Sequence, residues 1–151
     1  MIEYNVKVYN DGDIYWRSNG ELHREDGLPA VEKANGTKEW WVNGLRHRED
    51  GLPAVERADG TKEWWADHKL HRENDLPAVE RADGTKQWWV DHKLHREDGL
   101  PAIEWADGTK EWWVDHEKMT EQEAKIATIP VQELTVAEIS ERLGYNVKIV
   151  K

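Results

Sequence analysis

The stretch Pro53-Ala54-Val55-Glu56-Arg57-Ala58-Asp59-Gly60-Thr61-Lys62-Glu63-Trp64-Trp65 decides the fold. Two short runs flank an Asp-Gly pair, the strongest local signal for a β-hairpin. Charge then selects the register. A two-residue Asp59-Gly60 loop sets Glu56 against Glu63 and Arg57 against Lys62, like against like. A three-residue loop, Ala58-Asp59-Gly60 with Gly60 left-handed at a bulge, sets Glu56 against Lys62, Ala54 against Trp64 and Pro53 against Trp65. Opposite charges across strands contribute ~0.2–1 kcal/mol per pair and like charges oppose pairing, so the sequence predicts the three-residue loop. The same choice holds for Glu32/Lys38, Glu80/Lys86 and Glu104/Lys110.

Working outward, the hairpin is one of a series. His-Arg-Glu-Asp-Gly-Leu-Pro-Ala-Val-Glu starts at His23 and His47, and returns in altered form from His71 and His95, each start 24 residues after the last. The segment Ala-(Asn/Asp)-Gly-Thr-Lys recurs in phase at Ala34, Ala58, Ala82 and Ala106, followed by Trp pairs 40/41, 64/65, 88/89 and 112/113. The N-terminus keeps the phase more weakly, with Asp11-Gly12, Trp16 and Asn19-Gly20 aligned. A fixed period in this range indicates stacked units that bury their faces against one another. Pro and Gly in every period leave no window for an uninterrupted helix, so the unit is built of strands.

The expected fold is therefore all-β dominated. An elongated antiparallel β-hairpin array over residues 1–117 is closed by a small C-terminal α/β cap over 118–151. Thr120-Glu121-Gln122-Glu123 and Thr135-Val136-Ala137-Glu138 read as capping boxes, and Gly144 falls where a helix ends. Val136, Ile139 and Leu143 share one helical face, and Tyr145–Val150 alternates like a final strand. Repeat arrays need such caps because the last unit exposes an edge.

Composition bounds the function. The 151 residues carry 31 acidic against 21 basic side chains, a net charge of −10, and no cysteine. That charge disfavours direct binding to nucleic acid and to anionic membranes. No run approaches the ~20 apolar residues of a membrane span, and the N-terminus does not read as a signal peptide. Without cysteine there are no disulfides or thiolate sites, so the expected location is cytoplasmic. Leu134–Tyr145 resembles the opening of a helix-turn-helix, but no recognition helix follows it in the sequence.

The two Trp of each pair point to opposite faces of a strand. Trp16, Trp40, Trp64, Trp88 and Trp112 form the structural ladder, because Trp16 survives in the diverged first unit while Arg17 follows it. Trp41, Trp65, Trp89 and Trp113 are the candidate protein-binding stripe, expected to lie partly open beside Val31, Val55, Val79 and Ile103. His47, Arg48 and Glu49 exemplify a second structural ladder, in which Arg24, Arg48, Arg72 and Arg96 bond to Glu25, Glu49, Glu73 and Glu97 of neighbouring units. His68/His71 and His92/His95 have a spacing that could suggest zinc. Gly20 and Gly44 replace the partner of His23 and His47, so no metal or cofactor is assigned. Carboxylate pairs recur in every unit, whereas an active site needs one asymmetric constellation, so no catalytic residue and no enzyme activity are expected.

The run Asp-Gly-Thr-Lys-Glu-Trp-Trp-Val-Asn-Gly followed by His-Arg resembles the MORN repeat, and more closely its divergent variant, over roughly residues 11–116. The resemblance implies an elongated stack of β-hairpins used for protein contacts. The expected function is a non-enzymatic binding or scaffold module for another protein or a second copy of the chain, with a homodimer the simplest way to cover the Trp stripe. The alternative is an acidic inhibitor or decoy, of viral or mobile-element type, that blocks a basic nucleic-acid-binding surface of its target.

Overall fold

The computed structural model describes residues 2–129 and 135–144. It is mostly β-structure: an antiparallel sheet of 12 strands, three two-stranded hairpins, and two helices near the C-terminus. Val55–Glu56 pairs with Lys62–Glu63 so that Glu56 stands opposite Lys62 and Val55 opposite Glu63. Arg57 N–H donates to the Thr61 carbonyl (2.8 Å) and Gly60 N–H to the Arg57 carbonyl (2.9 Å), leaving the loop Ala58-Asp59-Gly60. Gly60 has φ 91°, and Gly36, Gly84 and Gly108 have 93°, 94° and 86°. A residue with a Cβ resists that region, so glycine closes the bulge at each unit. The charge argument selected the observed register.

Hairpins join edge to edge. Lys62–Glu63 continues onto Val79–Glu80 of the next unit, with Lys62 opposite Glu80 and Glu63 opposite Val79. One row across the sheet therefore reads Val31, Glu39, Val55, Glu63, Val79, Gln87, Ile103, Glu111. Its neighbour alternates Glu and Lys from Glu32 to Lys110 without a break, a cross-strand charge ladder on the opposite face.

Pro53 does not pair with Trp65. Trp64 N–H donates to the Ala78 carbonyl of the next unit (2.8 Å), and there the chain leaves the sheet. Trp65–Ala66 instead pairs with Lys69–Leu70, as Trp41–Val42 does with Leu45–Arg46 and Trp89–Val90 with Lys93–Leu94. A middle unit thus supplies four two-residue strands, where two were expected. The cause lies in the second turn. Asp67 and His68 both have positive φ (46° and 65°), the two-residue turn whose twist matches a hairpin. It draws Trp65 toward Leu70, while Pro53 has no N–H with which to hold the alternative pairing. The small hairpins interlock: Gly44 N–H donates to the Leu22 carbonyl (2.9 Å), His92 N–H to Leu70 (3.2 Å) and His116 N–H to Leu94 (3.0 Å).

The first strand, Asn5–Val8, pairs with Ile14–Ser18 and starts the sheet. At the other end the array runs into helices α1 (Glu121–Ala127) and α2 (Val136–Leu143), each opened by a capping box on Thr120 or Thr135. Gly144 closes α2 at φ 72°. The α1 backbone lies against Gly99, where an added Cβ would stand 2.7 Å from the Lys125 Cα. The strand expected over Tyr145–Val150 lies outside the described residues. Among those described, no helix is long and apolar enough to cross a membrane.

Candidate binding surface

The first Trp ladder turns inward. Trp40, Trp64 and Trp88 are buried, and their Nε1 atoms donate to the carbonyls of Gly27, Gly51 and Asp75 at 2.7, 2.8 and 2.9 Å. Trp112 does the same to Gly99 (3.1 Å). Each indole thereby ties a strand to a loop 13 residues earlier. The guanidinium groups of Arg24, Arg48, Arg72 and Arg96 lie over Trp16, Trp40, Trp64 and Trp88 at 3.8, 3.7, 3.7 and 3.8 Å. Stacking of a cation on an indole face is favourable and shields both groups from water.

The expected pairing of those arginines with Glu25, Glu49, Glu73 and Glu97 does not form. They bond instead to Glu32, Glu56, Glu80 and Glu104, eight residues on, and Nη1 of each also donates to a proline carbonyl at the start of that strand. Stacking on the Trp turns each guanidinium inward to the charge ladder, away from the loop carboxylates. His47 is exposed and joins the structure through its backbone, with N–H donating to the Trp40 carbonyl (3.2 Å); Glu49 is exposed on its loop.

The second ladder is half-buried. Nε1 of Trp41, Trp65 and Trp113 donates to the carboxylates of Glu39, Glu63 and Glu111 (3.1, 3.0 and 3.0 Å), and Trp89 uses Gln87 in the same way (3.2 Å). The Trp113 bond, followed by Lys118 alongside, holds the Glu111 carboxyl below its ordinary range. Histidines of the second turns sit between successive indoles. His92 lies 5.7 Å from Trp65 and 6.1 Å from Trp89, and His116 5.8 Å from Trp89 and 6.2 Å from Trp113. Arg46 covers both Trp41 and Trp65 at 4.8 Å.

Val55 and Val79 are not part of an open stripe. They are 3% and 7% exposed, and Val31 and Ile103 are buried with them. The carboxylates beside them are held down by the indoles and by side chains folded across the row, such as Arg57 Nε on Glu63 (2.6 Å) and Lys33 on Glu39 (3.4 Å). These arms and the indoles roof the valines. Val79 does line a groove with Trp89, Leu70 and Gln87, but is itself buried. The His pairs do not converge as ligands: the His92 ring is taken by the Trp ladder, and among the described residues no group of three His, Asp or Glu could hold a metal.

The sequence reading passed over a third row. Each Glu-Asp-Gly-Leu segment, and Glu-Asn-Asp-Leu in the third unit, forms a loop in which two consecutive residues are left-handed: Asp26-Gly27, Asp50-Gly51, Asn74-Asp75 and Asp98-Gly99. The tips carry Leu28, Leu52, Leu76 and Leu100, exposed by 45, 46, 45 and 41%. Between the first and second loops runs an open groove of about 730 Å³ lined by Trp40, Trp41, Val42 and Leu52. Between the second and third runs one of about 430 Å³, lined by Trp64, Trp65, Leu52 and Leu76. Trp41 and Trp65 thus reach the surface as groove walls. The missed signal is an apolar residue repeated without variation beside acidic turn residues; Leu-Pro after Asp-Gly reads locally only as a turn exit.

The loops differ in charge. Among the described residues no cation pairs with Glu25, Asp26, Glu49 or Asp50, whereas Arg96 makes two bonds to Asp75 (2.9 and 2.8 Å). That pair accompanies the one loop where glycine is replaced, with Asp75 at φ 53°. Comparison with known proteins finds no matching family model and no matching curated sequence.

Proposed function

We propose that the chain is a non-enzymatic protein-binding or scaffold module that presents its loop face, with Trp-walled grooves, to a protein partner. The observation that carries this reading is the repetition of one groove at successive units, where Trp41 and Trp65 stand beside Leu52 and Leu76. Exposed apolar rows walled by Trp are the usual anchors of protein interfaces. The resemblance of residues 11–116 to MORN repeats supports the same reading. A homodimer through this face is one form of it.

A second reading, an acidic inhibitor occupying a basic surface of its target, is favoured by the carboxylates of Glu25, Asp26, Glu49 and Asp50, which have no cation partner among the described residues. Capture of partners from a lysate at low and high salt separates the two, because charge-driven capture collapses with salt and aromatic anchoring persists. Trp65→Ala should lower capture, or self-association in sedimentation, while the fold survives. Trp64→Ala should cost about 3–5 kcal/mol of stability, as removal of a buried indole does. If both changes unfold the chain alike and neither alters capture apart from folding, the binding reading fails.

A further inference from the structure

Resting on the protein-binding reading, we propose that the occupant of the loop face is a basic amphipathic α-helix of a partner protein, laid along the array across Leu28, Leu52 and Leu76. Three independent observations carry this.

The first is spacing. Adjacent leucines belong to units set two strands apart in the main sheet, ~9.6 Å at the usual ~4.8 Å between strands. Residues seven apart on an α-helix are separated by roughly 10.5 Å. A helix with one apolar side chain per heptad therefore meets a leucine at each loop and directs that side chain toward the grooves walled by Trp40/Trp41 and Trp64/Trp65. The row from Leu28 to Leu76 spans ~19 Å, about 13 helical residues.

The second is charge. Glu25, Asp26, Glu49 and Asp50 flank the first two leucines with no cation paired to them among the described residues. In the third loop Asp75 is matched by Arg96. Lys and Arg on the flanks of a helix satisfy the first two loops, and the Arg96–Asp75 pair lowers that demand at the third.

The third is a seat already used by the chain itself. Helix α1 rests its backbone on Gly99 of the fourth loop, at a distance no Cβ would permit. Gly27 and Gly51 occupy the same place in the first two loops and have nothing within 4 Å of an added Cβ. The glycine of the loop that α1 covers beside Leu100 is thus open beside Leu28 and Leu52.

The test is a fluorescent synthetic helical peptide of about 18 residues, with Leu at every seventh position and Lys on both flanks, titrated against the full chain by anisotropy. A control peptide has the same composition with the leucines scrambled. The patterned peptide should bind at least ~tenfold more tightly than the control. Leu28→Ser with Leu52→Ser should erase that difference without moving the melting temperature, since both side chains are exposed. Glu25→Gln with Glu49→Gln should weaken binding and flatten its salt dependence. Equal binding of both peptides, indifference to the leucine changes, or no binding at all overturns the proposal. Lysate capture that still depends on Trp65 while the peptide fails to bind would leave the broader binding reading standing and remove only the helix.

Discussion

At Gly60 the backbone sits at φ 91°, in a turn that closes with Gly60 N–H on the Arg57 carbonyl. Gly60→Val should therefore cost more than ~1 kcal/mol in chemical denaturation, because a β-branched side chain resists that region. A neutral result would mean the bulge is not formed. One unit down the row from Glu63, Gln87 accepts the Trp89 indole as Glu63 accepts that of Trp65. Glu63→Gln should accordingly be tolerated within about 1 kcal/mol. Glu63→Leu leaves Trp65 Nε1 and Arg57 without their acceptor and should cost about 1–3 kcal/mol; thermal melts of the two variants side by side decide it.

At the scale of elements, α1 depends on the loop it covers. Gly99→Ala puts a methyl group into the Lys125 backbone, so α1 should lift off while the array stays folded. Amide exchange of residues 121–127 should then accelerate, with the strands around Trp64 unchanged; equal protection in both proteins would contradict the seat. Much of this level was legible in the sequence. Glu56 and Lys62 selected the hairpin register, Asp59-Gly60 its loop, and Thr120 and Thr135 the starts of both helices. What was not legible depended on choices between partners. Trp64 N–H could go to its own hairpin or the next, and only the pull of the Asp67-His68 turn on Trp65 decides. Arg48 was expected on a loop glutamate of a neighbouring unit, yet stacking on Trp40 carried it to Glu56. Val55 and Val79 were correctly placed in a strand but expected in the open, because periodicity cannot show that Arg57 or Lys33 folds across a row. The grooves were half legible: Trp41 and Trp65 were singled out, and the leucines that complete them were not.

For the molecule as a whole, acid should act through its turns. Asp59, Asp83 and Asp107 are held below the ordinary carboxylate range because each accepts a backbone N–H, with the hydroxyl alongside, from Thr61, Thr85 and Thr109. A folded value below the unfolded one contributes stability that is full above the unfolded pKa, ~4, and is lost as pH falls through the folded value. Melting temperature should thus hold near neutrality and decline below about pH 4. Asp59→Asn, which keeps the acceptor but does not titrate, should shrink that decline; an unchanged acid profile would show that the turn carboxylate is not responsible. The same repetition has a metric consequence. Neighbouring units interlock through bonds such as His116 N–H to Leu94, 22 residues back, and each unit adds two strands to one sheet. The array is thus a ruler: inserting or deleting one 24-residue unit moves its ends by ~9.6 Å in a single step, and its length can change only in that increment.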